Sequence, residues 1–211
     1  MTGLLSLSSL IDRLTTLIGK LSMWLILATT LISAGNAIVR KAFDMSSNGL
    51  LEIQWYLFAA VFMLGAGYGF LKNSHVRIDF ISSRLSDRTR NWVDVAGILV
   101  VLFPLCILLI ALSWPAFTNA YNNGEMSQNA GGLIRWPVYM LVPVGFALLM
   151  LQGVSELIKR IAFLRGHIAD PIGGDAAKSD DQIAAERLEA ELAERLAVEK
   201  VVSNTTSKAG A

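Results

Sequence analysis

The sequence predicts an all-α integral membrane protein with four transmembrane helices. Four apolar stretches without charged side chains each approach the roughly 20 residues that a helix needs to cross a hydrocarbon core of about 30 Å. Apolar residues make up 54% of the 211 residues, and the formal net charge is only +1. Packed helices of a soluble domain are the alternative, but such helices rarely extend this far without a charge. The pattern therefore favours one membrane domain.

The first two helices are predicted at residues 18–39 and 53–71. The apolar run of the first is longer than that of a usual signal peptide, so we expect the helix to remain uncleaved. The second follows directly after Glu52. Its small residues Gly65 and Gly69 lie four positions apart, a spacing that allows two helix backbones to approach closely. The second helix is thus a candidate packing surface.

The last two helices are predicted at residues 95–118 and 136–158. Pro104, Pro115 and Pro143 fall inside them or near their ends. Proline removes a backbone donor from a helix, so these positions predict bends at which neighbouring groups satisfy the freed carbonyls.

An amphipathic segment, residues 72–94, connects the second and third helices. Its apolar residues, among them Ile78, Ile81 and Leu85, are spaced to share one helical face, whereas its arginines point elsewhere. We therefore expect this segment to lie along the inner membrane surface. His75 has no second potential ligand nearby, which favours a polar interface residue over a metal site.

The distribution of Lys and Arg near the helix ends predicts the orientation. Basic segments are retained in the cytoplasm, and most of the basic residues fall on the side that holds both termini. The chain is therefore predicted to be a multi-pass membrane protein with both termini cytoplasmic. The crowded side has Arg13, Lys20, Lys72, Arg77, Arg84, Arg88, Arg90, Lys159, Arg160 and Arg165, and the other side has Arg40, Lys41 and Arg135.

The composition changes after Gly166, where proline and glycine precede a charged stretch. This change predicts two parts: a four-helix membrane domain, residues 1–166, and a cytoplasmic linker with a charged, partly helical tail, residues 167–211.

The apolar stretches within these helices, residues 21–39, 53–71, 95–121 and 136–155, contain no Asp, Glu, His or Arg. Ion-coupled pumps need such groups at depth, and haem subunits need paired ligands there. No phosphate-binding loop for ATP is present either. We therefore expect that the chain is not an enzyme and that it does not transport a solute alone. We also expect no cofactor, no metal and no nucleic-acid partner.

Three motifs occur in a specific order along the chain. They are EIQWYLF from Glu52 to Phe58, HVRID from His75 to Asp79, and GEMS followed by a Gly-Gly-x-x-Arg-Trp-Pro turn within residues 124–137. Together they resemble the small membrane subunit of a tripartite ATP-independent periplasmic (TRAP) transporter, over about residues 15–166.

The resemblance implies a function that composition does not show. In this family the small subunit is a scaffold for a large elevator-type membrane subunit, which carries the substrate and sodium sites, and a periplasmic binding protein delivers the solute. The expected function is sodium-coupled uptake of an organic acid or similar solute. A membrane anchor subunit of another enzyme or transport complex is the alternative.

Two groups of candidate site residues follow from these observations. The alternative for both groups is that they only set helix ends and lipid contacts. The hypothetical subunit interface comprises Glu52, Trp55, Gly65, Gly69, His75, Arg77 and Asp79, and the hypothetical periplasmic loop comprises Glu125, Ser127, Arg135 and Trp136.

Overall fold

The computed structural model describes residues 2–43, 47–74, 85–171, 188–189 and 191–192. In this part of the chain four helices are long and apolar enough to cross a membrane, and no β-strand occurs. The predicted all-α fold with four membrane-spanning helices is confirmed. The helices are α1 (Thr2–Phe43), α2 (Asn48–Leu71), α3 (Asp87–Asn122) and α4 (Trp136–Leu164).

Helix α4 is the centre of the bundle because it packs against each of the other three helices. Helix α2 lies between α1 and α4. Successive helices run in opposite directions, so the start of α1 and the end of α4 meet at one end of the bundle, where Asp12 is within hydrogen-bonding distance of Ser155. The α3–α4 loop, residues 123–135, lies at the opposite end.

Helix α1 is longer than the sequence analysis predicts. It begins at Thr2 rather than at about residue 18, and its 42 residues span about 63 Å at 1.5 Å per residue. The additional turns contain Ser8, Asp12 and Thr15, all of which bond to α4. The part of α1 before residue 18 contains charged residues, so an uncharged stretch does not predict it. Its polar residues nevertheless hold it against the bundle.

Helix α3 contains a π-helical turn at Ile98–Leu102, between the α-helical parts Asp87–Gly97 and Phe103–Asn122. The turn ends two residues before Pro104. The backbone N–H of Phe103 donates to the carbonyl of Ile98, five residues earlier. A proline ring clashes with the carbonyl four residues before it, and the wider turn accommodates that ring. The predicted distortion near Pro104 is therefore a π-bulge.

Two glycines of α4 bring neighbouring helices into close contact. A Cβ atom added at Gly145 would lie 2.8 Å from both Cβ and the carbonyl oxygen of Met63 on α2. A Cβ atom at Gly153 would lie 2.7 Å from Leu102 and 2.9 Å from Phe103, next to the π-helical turn. These positions have no space for a larger residue, so the contacts between helices depend on glycine.

The amphipathic segment predicted at residues 72–94 is only partly within the described residues, which resume at position 85. Helix α2 ends before Asn73, whose left-handed backbone (φ 54°) terminates the helix. Residues 87–94 form the first turns of α3, continuous with its membrane-spanning part. The chain divides after Pro171 into two units. In the second unit, residues 188–189 and 191–192 are helical.

Candidate functional site

Two polar clusters lie at opposite ends of the four-helix bundle. The first, here called the loop cluster, joins Glu52 of α2 to the α3–α4 loop. The second, here called the Asp12 cluster, joins Asp12 and Thr15 of α1 to Gln152, Ser155 and Lys159 of α4. The loop cluster contains several of the residues that the sequence analysis singled out.

Glu52 is the centre of the loop cluster. It lies one turn into α2, and only 4% of its surface is exposed. Its Oε2 accepts a hydrogen bond from the backbone N–H of Leu133 at 2.7 Å. Its Oε1 accepts hydrogen bonds from the side chains of Ser127 and Asn129, the latter at 2.6 Å. Three donors of one loop thus converge on a single carboxylate, which compensates for the cost of burying it.

The loop reaches Glu52 through a compact backbone fold. Gly124 and Gly131 adopt positive φ angles of 58° and 72°, which glycine accepts without a steric penalty. The chain doubles back through the turn at Gly131, which an isolated antiparallel bridge between Met126 and Ile134 closes. The side chain of Asn48 also donates to the carbonyl of Ala130 at 3.1 Å. The start of α2 therefore holds the loop at two points.

Arg135 and Glu125 close the base of the loop. The guanidinium of Arg135 donates to Glu125 Oε1 at 2.8 Å, and its backbone N–H donates to the Glu125 carbonyl at 2.9 Å. The side-chain hydrogen bond to Glu125 raises the pKa of Arg135. Both side chains remain about 40% exposed, so the pair presents charge at the surface of the loop. Arg135 also lies 5.7 Å from the ring centre of Tyr139.

Trp136 begins α4 and belongs to an aromatic group at the same end of the bundle. Its ring centre lies 5.6 Å from that of Tyr121 and 6.5 Å from that of Phe117, both in near-perpendicular arrangements. Phe117 in turn lies 5.5 Å from Trp114. Trp and Tyr concentrate where a membrane meets water. The arrangement therefore indicates that this end of the bundle lies at a membrane surface.

Asp12 is the centre of the second cluster. Its Oδ1 accepts hydrogen bonds from Ser155 at 2.7 Å and from Gln152 Nε2 at 2.9 Å, and its Oδ2 lies 3.2 Å from Lys159 Nζ. Gln152 is fully buried and also accepts a hydrogen bond from Thr15 Oγ1 at 2.8 Å. Both ends of the Gln152 amide are therefore bonded to α1.

The Asp12 cluster continues to α3 through alternating charges. Lys159 pairs with Glu156, which also pairs with Arg160, and Arg160 Nε lies 3.2 Å from Asp94 Oδ2. Arg160 is 4% exposed, and a guanidinium buried to that extent needs such partners. The cluster thus fixes α1 and α3 to the same end of α4. We interpret it as structural.

The structure places the candidate interface residues in different surroundings. Glu52 lies at the end of α2 opposite to the segment after Leu71, so it acts on the α3–α4 loop and not beside that segment. Trp55 faces outward, and a Cβ atom at Gly65 or Gly69 would meet no other atom within 4 Å. The remaining candidates, His75, Arg77 and Asp79, lie outside the described residues.

Sequence reasoning missed several members of both clusters. Asn129 and Leu133 bind Glu52, yet nothing in a polar loop distinguishes an asparagine side chain or a backbone amide. Ser127 was selected from its motif, and the structure brings it to Glu52. Asp12 precedes the uncharged stretch of α1, so the hydropathy pattern does not draw attention to it. The available signal was the pair of polar segments on two helices: Asp12 one turn before Thr15 on α1, and the Gln-x-x-Ser-Glu sequence beginning at Gln152 on α4.

Comparison with known proteins provides a further finding. The family model described as "Tripartite ATP-independent periplasmic transporters, DctQ component" matches residues 29–163. A relative from Pseudomonas aeruginosa, named C4-dicarboxylate TRAP transporter small permease protein DctQ, is 28% identical over 134 residues. That alignment covers 63% of this chain and 62% of the relative, less than two thirds of its length.

Proposed function

Because the matching family model covers well over half of the chain, the chain belongs to the DctQ component family of TRAP transporters, and we propose that it is a non-catalytic scaffold subunit. Its proposed partners are a large membrane subunit and a periplasmic substrate-binding protein. The proposed setting is a bacterial inner membrane with both termini in the cytoplasm.

The outward face of α2 is the observation that carries this proposal. Trp55, Phe58 and Phe62 are each more than 60% exposed, and they recur with Gly65 and Gly69 at alternating spacings of three and four residues. That spacing is the seam along which two helices pack at a shallow angle. The glycines leave open space beyond the aromatic side chains, which suits close approach of a second helix. We propose that a helix of the large subunit packs along this seam.

Affinity purification of the tagged chain from native membranes in mild detergent, followed by mass spectrometry, tests the proposal. We expect stoichiometric recovery of a much larger multi-spanning protein. A Gly65→Leu, Gly69→Leu variant should lose that partner while it expresses and melts like the wild type, because a Cβ atom added at either position meets no atom of a neighbouring helix within 4 Å.

The matched control is Gly97→Leu. Gly97 lies on α3 and likewise has no atom within 4 Å of an added Cβ, so the substitution adds equal bulk on another helix. It should retain the partner. Recovery of the large protein with the α2 variant would contradict the proposed seam. Recovery of a soluble or haem-containing enzyme with the wild type would instead support an anchor subunit of another complex.

We propose that the α3–α4 loop faces the periplasm and contacts the binding protein. Glu52 fixes the backbone of the loop, and the half-exposed pair Glu125 and Arg135 offers charge of both signs at its surface. Replacing both with Gln removes that charge without changing the net charge. We expect slower uptake with unchanged complex yield. An undiminished transport rate would refute a docking role.

The substrate class and coupling ion follow from similarity alone. The Pseudomonas relative is named for C4-dicarboxylates, so we propose uptake of an organic acid of this type, driven by sodium. Uptake of labelled succinate into proteoliposomes containing the purified complex and its binding protein tests both points. The proposal requires uptake that depends on an inward sodium gradient and is absent when potassium replaces sodium.

A further inference from the structure

An open cavity of about 320 Å³ lies where α4 ends beside the start of α3. Phe163 and Leu164 give it an apolar wall, and Arg88 and Arg165 add two cationic side chains. Gly166 completes the lining. A second open cavity of about 310 Å³, beside the Asp12 cluster, also combines basic and apolar side chains, but Asp12 adds a carboxylate to its lining. The lining of the first cavity includes no described carboxylate.

The depth of the cavity in a membrane follows from the length of α4. Its 29 residues extend about 43 Å at 1.5 Å per residue. A bilayer measures about 30 Å across its hydrocarbon core and about 40–45 Å with its headgroups. A helix of this length that spans the bilayer has its ends at the headgroups, and the cavity adjoins residue 164. It therefore lies at the level of the lipid phosphates.

The two arginines of the cavity differ from the neighbouring Arg90, which forms ion pairs with carboxylates. Arg90, two residues after Arg88, lies 2.6 Å from Asp170 and 3.1 Å from Asp87. Arg88 donates from Nη2 to the carbonyl of Leu164 at 3.3 Å. Neither Arg88 nor Arg165 forms an ion pair with a carboxylate within the described part of the chain. Among the described residues no carboxylate therefore competes with a ligand for their charge, and the hydrogen bond to Leu164 orients the Arg88 guanidinium at the rim.

We propose that this cavity binds an anionic phospholipid, with the phosphate held by Arg88 and Arg165 and the first acyl carbons packed on Phe163 and Leu164. Guanidinium groups match phosphate in geometry and charge. The apolar wall favours a lipid over a free phosphate ion, because it contributes only when the ligand carries hydrocarbon. The site does not depend on the proposed transport function.

Native mass spectrometry of the purified full-length chain tests this site. The chain is titrated with dioleoyl phosphatidylglycerol, with dioleoyl phosphatidylcholine as the neutral reference. One basic residue near an anionic surface contributes about fivefold in affinity. We therefore expect the Arg88→Gln, Arg165→Gln variant to bind phosphatidylglycerol about 25-fold more weakly, while its binding of phosphatidylcholine changes little. Circular dichroism verifies that the variant is folded.

The matched control is Arg13→Gln, Lys20→Gln, which removes two exposed basic residues from α1 at the same end of the bundle. It should keep most of the affinity for phosphatidylglycerol. An equal loss in both variants would mean general attraction to charged lipid and would overturn the site. A separate arm adds inorganic phosphate at millimolar concentration. Displacement of the lipid by phosphate would assign the cavity to a free anion and refute the lipid proposal.

Discussion

The hydrogen bond between Thr15 and Gln152 should stabilise the attachment of α1 to α4, and a double-mutant cycle measures its contribution. Thr15→Val keeps the shape of the side chain but removes the donor that lies 2.8 Å from Gln152 Oε1. Gln152→Met keeps the approximate length of the side chain and removes both the acceptor and the bond to Asp12 at 2.9 Å. The coupling between the two substitutions isolates their shared hydrogen bond.

The magnitudes follow from the number of bonds that each substitution removes. Thr15→Val should lower the free energy of unfolding by about 1 kcal/mol, the usual net value of one hydrogen bond. Gln152→Met removes three hydrogen bonds from a fully buried side chain: those with Thr15 and Asp12, and a longer one of 3.4 Å to Glu156. Two of them are to carboxylates, so we expect a loss of roughly 2–4 kcal/mol. Hydrogen bonds between membrane helices couple by about 0.6 kcal/mol on average, with about 1.7 as the upper measured value. The cycle should fall in that range.

Reversible unfolding in mixed dodecyl maltoside and SDS micelles, followed by tryptophan fluorescence, gives the four free energies. The control pairs Gln152→Met with Thr29→Val, because Thr29 donates to Leu25 within its own helix at 2.8 Å. That pair should be additive within about 0.3–0.5 kcal/mol. If the pair formed by Thr15 and Gln152 is equally additive, the hydrogen bond does not stabilise the protein and the reasoning fails.

Two further substitutions test the helix packing and the loop. Gly145→Ala should lower the free energy of unfolding by about 1–3 kcal/mol, because its new methyl group meets the backbone of Met63. Gly65→Ala, at an open position, is the control, and an equal loss in both would refute the packing argument. Glu52→Leu removes the acceptor of all three loop donors, including the backbone N–H of Leu133, so the amide of Leu133 should exchange hydrogen faster. Unchanged protection of that amide would contradict the role of Glu52 as the anchor of the loop.

The number of membrane-spanning helices was predictable from the sequence because the membrane imposes a length on uncharged stretches. The true start of α1 was not, since Thr2 to about residue 17 are helical through bonds to another helix. Asp12 illustrates the reason: in sequence it is a charge that ends an apolar run, whereas in the structure it is a bonded residue at the helix interface. The sequence pattern of one helix cannot show which residue of a distant helix will bond to one of its polar side chains.

The loop cluster was predictable only in part for a related reason. Glu52, Ser127 and Arg135 were recognised as unusual, but the sequence separation of 75 residues between Glu52 and Ser127 hid their contact. The resemblance to a transporter subunit also directed attention to contacts between chains. The structure shows that the carboxylate of Glu52 binds within its own chain, which leaves Glu125 and Arg135 as the exposed charged pair of this loop.

The arrangement of polar and small residues agrees with the scaffold role proposed above. One carboxylate accepts hydrogen bonds at each end of the bundle, that of Glu52 at one end and that of Asp12 at the other. Between the two ends, glycines such as Gly145 allow the helices to pack closely. None of these interactions involves a residue on the outward face of α2. Along the seam from Trp55 to Gly69 the described side chains carry no charge. Recognition of the proposed large subunit along this seam must therefore depend on shape. Added bulk at Gly65 should prevent that subunit from binding while leaving this chain folded.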